Sequence, residues 1–307
     1  HVTFTRRIAM SLATTLWLAG CVPLRPFAEI RGARASTDFV QIGDQAVHVV
    51  DRGPKDAPVL VLLHGFGASA VSWRRVSPQL DTTFRTLAID MNAFGYTERS
   101  RDPEVYTLDG QVALVIGVLD ALGIDRAHVA GHSYGGGVAQ WLATRHPERV
   151  RSLILIDSTS PIYASARRSK SASLRPFADL FLRTVALRPK YIRQGLEATF
   201  FDKRLVTDEL VQLYLEPLKT EGEPFAYRAI SRPNPLEPTT FDPSRIKQPT
   251  LAIWGANDER ITVEVGRGVA GTIPDVRFVV LPECGHNPHE EKPDETARLM
   301  REFLSSR

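Results

Sequence analysis

Ala127-His128-Val129-Ala130-Gly131-His132-Ser133-Tyr134-Gly135-Gly136-Gly137 decides how this chain is read. Ala127 to Gly131 reads as a buried strand, and the stretch from Gly135 to His146 has the length and spacing of a helix. Strand and helix leave almost nothing between them, so Ser133 must sit on a very tight turn. Glycines on both sides let backbones approach where any Cβ would collide. Such a turn projects the Ser133 hydroxyl above the sheet. A plain glycine-rich turn has the same composition, so the reading depends on whether a base and an acid stand elsewhere in matching places.

Outward from this turn, short apolar runs alternate with helical patterns. Strands are expected at Phe39 to Ile42 and Ala46 to Asp51, a hairpin pair around Gly43-Asp44, and at 58–63, where the apolar run is unbroken. Others are expected at Thr86 to Asp90, Val150 to Asp157, Thr250 to Gly255 and Val276 to Leu281. Helices are expected at Val71 to Leu80, Leu108 to Leu122, Thr262 to Ile273 and Pro293 to Leu304. The alternation predicts an α/β fold with a mostly parallel sheet, whose sites lie at the carboxyl ends of strands.

Two such ends carry the partners a serine needs. A hydroxyl is barely acidic, so it requires a base poised near neutral pH, and an imidazole requires a carboxylate to hold its tautomer. His286 follows the last strand in Cys284-Gly285-His286-Asn287-Pro288, and Asp258 follows the preceding one in Trp254-Gly255-Ala256-Asn257-Asp258. His289 is a rival base, although His289-Glu290-Glu291-Lys292-Pro293 reads as the solvated polar start of the last helix. Glu259 and Asp157 are rival acids. Two N–H donors for an oxyanion are expected from Tyr134 and from Phe66 in His64-Gly65-Phe66-Gly67. His64 is expected to brace that loop by hydrogen bonding, and His128 and His132 to serve structure.

Between residues 161 and 242 the alternation stops. Apolar residues recur at helical spacing, as at Phe177, Leu180, Phe181 and Val185, and prolines divide the pieces. A structureless loop of that length is improbable in a compact domain, so a helical cap is expected there, with the core over 37–160 and 243–307. Residues 161–204 hold ten Lys or Arg against three Asp or Glu, read first as solvated helix faces and second as an acidic-substrate funnel or a headgroup contact.

At the start of the chain, Arg6 and Arg7 precede an apolar run from Ile8 to Leu18 and then Ala19-Gly20-Cys21. The run is too short to span a bilayer, which takes about 20 residues as a helix. Its order is that of a secretory signal over residues 1–20, and Leu18-Ala19-Gly20-Cys21 resembles the bacterial lipobox. The resemblance implies export, lipid attachment at Cys21 and anchoring to the cell envelope, with the outer membrane favoured because Val22 follows rather than Asp. Residues 21–36, with Pro23, Pro26 and Gly32, read as a tether.

Composition leaves room for one large globular domain or two ordinary ones. The 307 residues are 43% hydrophobic and 24% charged, which excludes disordered, collagenous and polytopic membrane classes. The net charge of +3 is too small for a nucleic-acid partner, and loss of the leader's two arginines leaves 36 basic against 35 acidic side chains. Cys21 and Cys284 are the only cysteines and have no zinc spacing; Cys284 is expected to be a buried free thiol.

The chain resembles the α/β-hydrolase superfamily over residues 37 to 307. The resemblance is carried by His64 to Gly67, Asp90 to Thr97, Gly131 to Gly136, Asp157, Trp254 to Asp258 and Gly285 to Pro288, and by the order Ser, Asp, His. Ala93 and Thr97 depart from the usual Asp-x-x-Gly-x-Gly-x-Ser and are expected to reshape the acyl-side wall. The resemblance implies an eight-stranded sheet with an antiparallel second strand, a helical cap, and no metal or organic cofactor. It further implies hydrolysis of a small-molecule carboxylic ester by Ser133, His286 and Asp258. Carbon–carbon hydrolases of ring-fission dienoates are the second expectation, their elbow often carrying Asn in place of His132. A non-catalytic ligand-binding module of the envelope is the third.

Overall fold

A computed structural model describes residues 22–161, 187–230 and 241–307. The expected leader, Cys21, and parts 162–186 and 231–240 of the expected cap lie outside the described residues. No helix among the described residues is long and apolar enough to cross a membrane.

The strands are β1 (Phe39–Ile42), β2 (Gln45–Arg52), β3 (Val59–Leu63), β4 (Arg85–Ile89), β5 (Ala127–His132), β6 (Val150–Ile156), β7 (Thr250–Gly255) and β8 (Val276–Leu281). They form one sheet in the order β1-β2-β4-β3-β5-β6-β7-β8. β2 runs antiparallel to both its neighbours and all other pairs are parallel. β3, read as an unbroken apolar run, is buried at every residue, because helices cover both faces of a parallel sheet. Each fully buried Val or Leu of this kind contributes about 1.5–3 kcal/mol. One apolar layer holds Val61, Leu63, Val129 and Leu155 against Val115 and Trp141; the other holds Leu60, Leu62, Ala130 and Ile154 against Trp73 and Met300. Side-chain alternation along each strand divides the core in this way.

The longer helices are α1 (Phe27–Gly32), α2 (Leu108–Ala121), α3 (Tyr134–Arg145), α4 (Pro189–Glu197), α5 (Asp208–Leu218), α6 (Glu223–Ile230), α7 (Val263–Ala270) and α8 (Pro293–Leu304). The helix expected over Val71 to Leu80 is instead a 3-10 turn at Ala70–Trp73 and a short helix at Ser77–Leu80. Pro78 is the cause, since its ring and missing N–H cannot continue a helix through the preceding turn. The described part of the cap is helical as its spacing predicts. α4 and α5 meet through Leu196, Phe200, Val206, Leu210, Val211 and Tyr214, a cluster that also takes in Ala68 of the core.

The expected tether requires correction. Val22 and Leu24 pack against Leu187 and Leu215 of the cap. Arg25 forms a parallel bridge to Thr220, with Arg25 N–H donating to Lys219 O (2.6 Å) and Glu221 N–H donating to Arg25 O (2.9 Å). Pro26 forces the residue before it into extended backbone, which gives Arg25 the conformation of a strand. α1 then buries Ile30. Apolar residues too sparse to show a period are enough to seat the segment.

Candidate active site

The elbow is built by backbone contact. Ser133 has φ +49° and ψ −114°, and its N–H donates to Ile156 O at the end of β6 (2.9 Å). A Cβ at Gly131 would lie 2.3 Å from Gly135 O, and one at Gly135 would lie 2.5 Å from the carbonyl oxygens of Leu63 and His64. The glycines on either side of Ser133 are therefore dictated by the approach of β3, β5 and α3.

Three strand ends meet here. Ser133 directly follows β5, Asp258 lies three residues past β7 and His286 five past β8. His286 Nδ1 is 2.7 Å from Asp258 Oδ2, and His286 Nε2 is 2.9 Å from Ser133 Oγ. A carboxylate only accepts, so Nδ1 carries the proton and Nε2 is left to accept from the serine hydroxyl. Asp258 Oδ1 accepts from Arg260 N–H (2.7 Å) and Ile261 N–H (3.0 Å), which fixes its rotamer. Of the rivals, Glu259 is exposed, whereas Asp157 is buried behind Asp258. Carboxylate oxygens of Asp157 and Asp258 and a ring nitrogen of His286 all lie within 4.8 Å of one another, a spacing that suits a metal. Both His286 nitrogens and both Asp258 oxygens are already hydrogen-bonded, so the donor set is spent within the protein.

His289 is not solvated as its sequence context predicts. It is fully buried, its ring tilted between those of His132 (ring centroids 4.4 Å) and Trp73 (4.8 Å), and neither ring nitrogen meets a hydrogen-bond partner among the described residues. Burial, then the neighbouring His286, pushes its pKa down to about 3. Glu290 and Glu291 are buried with it. The Pro288–Glu291 turn is a separate short helix packed inward, which a run of polar letters does not reveal.

The oxyanion-side loop is braced as its sequence predicts. His64 Nδ1–H donates to Gly65 O (2.8 Å), and His64 Nε2 accepts from Met91 N–H (3.1 Å). Gly135 N–H donates to His64 O (3.1 Å), which ties this loop, with Phe66, to the elbow, with Tyr134. Phe66 remains 44% exposed, its ring edge-on to Phe94, Tyr134 and Tyr227. In the Asp90 loop, Ala93 adopts φ +76°, the conformation glycine takes without strain. Thr97 Oγ1 donates to Asp90 O (2.6 Å) and accepts from His48 N–H (3.0 Å), so its hydroxyl braces the loop.

Sequence reasoning missed the clamp on the histidine loop. Glu291 Oε1 accepts from Gly285 N–H (2.9 Å), while its Oε2 accepts from Phe201 N–H (2.8 Å) and Asp202 N–H (3.2 Å) of the cap. His286 N–H donates to Thr199 O (2.8 Å), and His132 Nε2–H donates to His286 O (2.7 Å). Sequence carries no signal for this pairing, which joins segments about ninety residues apart. His128 is structural as expected, its Nδ1 2.7 Å from Ser152 Oγ. Cys284 is a buried free thiol, pushed up by burial and then by Glu291. A large open cavity bounded by Asp44, Asn92, Glu98, Asp109, Trp141 and Arg145 contains none of the triad side chains.

Residues 58–293 match the family described as alpha/beta hydrolase fold, and the chain belongs to that family. It is 32% identical over 258 residues to a 2-hydroxymuconate semialdehyde hydrolase of Pseudomonas sp. (strain CF600), covering 80% of this chain and 86% of the relative. A meta-cleavage product hydrolase structure superposes with TM-score 0.68 at 25% identity, covering 88% of this chain and 98% of the other. A membrane phospholipase A does so with TM-score 0.67 at 25% identity, covering 99% and 96%. The protein is thus an α/β-fold hydrolase.

Proposed function

We propose that this hydrolase cleaves carboxylic esters through an acyl-enzyme on Ser133. Ser133 Oγ attacks the ester carbonyl while its proton passes to His286 Nε2, and Asp258 stabilises the imidazolium that forms. The oxyanion takes N–H bonds from Phe66 and Tyr134. Nε2 then gives the proton to the departing alkoxide. Water, deprotonated by the same nitrogen, attacks the acyl carbon, and collapse of the second tetrahedral intermediate returns the proton to Ser133 Oγ and releases the acid.

The observation that carries ester over other acyl bonds is the wall beside Phe66. Phe66, Tyr134 and Tyr227 present aromatic surface there, backed edge-on by the buried Phe94. Arg99, behind Phe94, is spent: it pairs with Glu223 Oε2 (2.8 Å) and donates to the carbonyls of Phe94, Gly95 and Thr97. An ester needs apolar contact for its acyl or alcohol part. A dienoate brings a carboxylate, and among the described residues Arg99 is not free to meet it.

The second reading, carbon–carbon hydrolysis of ring-fission dienoates on the same triad, is favoured by the names of the Pseudomonas relative and the meta-cleavage product hydrolase. The phospholipase likeness supports the ester reading. A chain-length series of p-nitrophenyl esters assayed beside a ring-fission dienoate separates them: ester turnover is expected, and turnover of the dienoate alone overturns the ester reading. A fluorophosphonate probe is expected to label Ser133, and an unlabelled folded protein would point to the binding-module reading instead. We propose further that Cys21 carries the lipid anchor to the bacterial envelope. Cys21→Ser is expected to release the protein from membranes, and continued retention defeats that proposal.

A further inference from the structure

Asp157 is the first residue after β6 and has φ +39°, a left-handed backbone that costs a non-glycine residue about 1–2 kcal/mol. Its side chain is fully buried. Oδ1 accepts from Gly255 N–H at the end of β7 (3.0 Å), while Oδ2 meets no donor among the described residues. The carboxyl lies against Asp258, within the same 4.8 Å cluster as His286. A buried carboxyl oxygen without a donor among the described residues demands an explanation.

Charge supplies it. Two carboxyls this close in a low-dielectric site cannot both ionise, so one holds a proton. Asp258 accepts three hydrogen bonds, from Arg260 N–H, Ile261 N–H and His286 Nδ1–H, so both of its oxygens already serve as acceptors. Asp157 receives one. The other titratable groups that bear on it are Glu291, which is acidic, Cys284, which burial keeps a thiol, and His286, whose Nδ1–H is already given to Asp258. We propose that Asp157 is a carboxylic acid whose O–H donates to Asp258, making it a positioning residue that fixes the triad acid without touching substrate. Burial, then the Asp258 charge, pushes the Asp157 pKa well up, which agrees. The orphaned Oδ2 becomes a donor, and an O–H bond to a carboxylate is among the stronger hydrogen bonds a protein makes. The same side chain ties β6 to β7 through Gly255, so the two strand ends that carry the elbow support and the acid are held in register.

The inference rests on the Ser133–His286–Asp258 triad proposed above, and its test has one arm that needs no turnover. Infrared difference spectra of the full chain at neutral pH, wild type against Asp157→Asn, are expected to show a protonated-carboxyl band lost in the variant. Absence of any lost band means that Asp157 is ionised and overturns the proposal, whatever the substrate is. Kinetics with a p-nitrophenyl ester form the second arm. Asn donates to Asp258 and accepts from Gly255 as the acid does, so Asp157→Asn is expected to keep kcat within about threefold. Asp157→Ala, which removes the donor, is expected to lose about 10- to 100-fold in kcat with KM little changed. A folded Asp157→Asn as impaired as Asp157→Ala sinks the positioning role. If Asp157→Ala does not fold, the infrared comparison and the Asp157→Asn rate decide alone.

Discussion

His286, on the loop after β8, and His289, in the short helix that follows, stand three residues apart, and the structure gives them opposite environments. His286 is 8% exposed, with a carboxylate on one nitrogen and a hydroxyl on the other. His289 is sealed between Trp73 and His132 without a hydrogen bond among the described residues, and its low pKa keeps it neutral. The imidazole ring is the same in both. What differs is the set of partners, and that set comes from β5, β7 and the cap rather than from the neighbouring letters.

The sharpest way to break the contrast is to remove each ring. His286→Ala is expected to lower kcat for the ester by about 10⁴-fold or more, as loss of a triad base does. His289→Phe, which keeps an aromatic ring in that place, is expected to stay within about tenfold of wild type. Equal losses in steady-state assays of the two folded variants would erase the distinction.

A smaller effect tests what holds the loop. Glu291→Ala strips the acceptor from Gly285, Phe201 and Asp202 N–H, and a buried donor left unmet costs about 1–3 kcal/mol. A stability loss of about 3 kcal/mol is expected in urea unfolding, with a fall in kcat as the His286 loop loosens. An unchanged urea midpoint refutes the clamp.

The smallest effect is in pH. His289 has a folded-state pKa pushed down to about 3, below its ordinary value near 6.5. A depressed pKa contributes stability that is present above the unfolded value and lost as pH falls toward the folded one. Between pH 6.5 and pH 5 the unfolded ring takes a proton that the folded ring refuses, at about 2 kcal/mol. The His289→Phe variant is therefore expected to lose about 2 kcal/mol less than wild type between pH 7 and pH 5. Parallel slopes in urea titrations at the two pH values contradict the neutral ring.

These same residues mark how far the sequence is legible. The elbow around Ser133 is readable because its glycines answer a local demand, two backbones closer than a Cβ permits. The unbroken run of β3 is readable because burial on both faces leaves no polar position. The Pro288–Glu291 segment misleads because the buried Glu290 and Glu291 find partners, Arg74 and the cap amides, far away in the chain. The docked stretch around Arg25 misleads for a related reason: a bridge of two backbone hydrogen bonds needs no side-chain pattern.

By itself the sequence determined the alternation of strands and helices, the tight turn at Ser133, the order Ser, Asp, His and the helical character of the described cap. All of these are set by spacing along the chain, which periodicity and steric demand write into neighbouring residues. Only the tertiary structure decided which histidine meets Ser133, that Asp157 backs Asp258, and that Glu291 joins the cap to the His286 loop. Those choices depend on burial and on donors supplied by distant segments, and a buried charge or ring takes its character from what surrounds it.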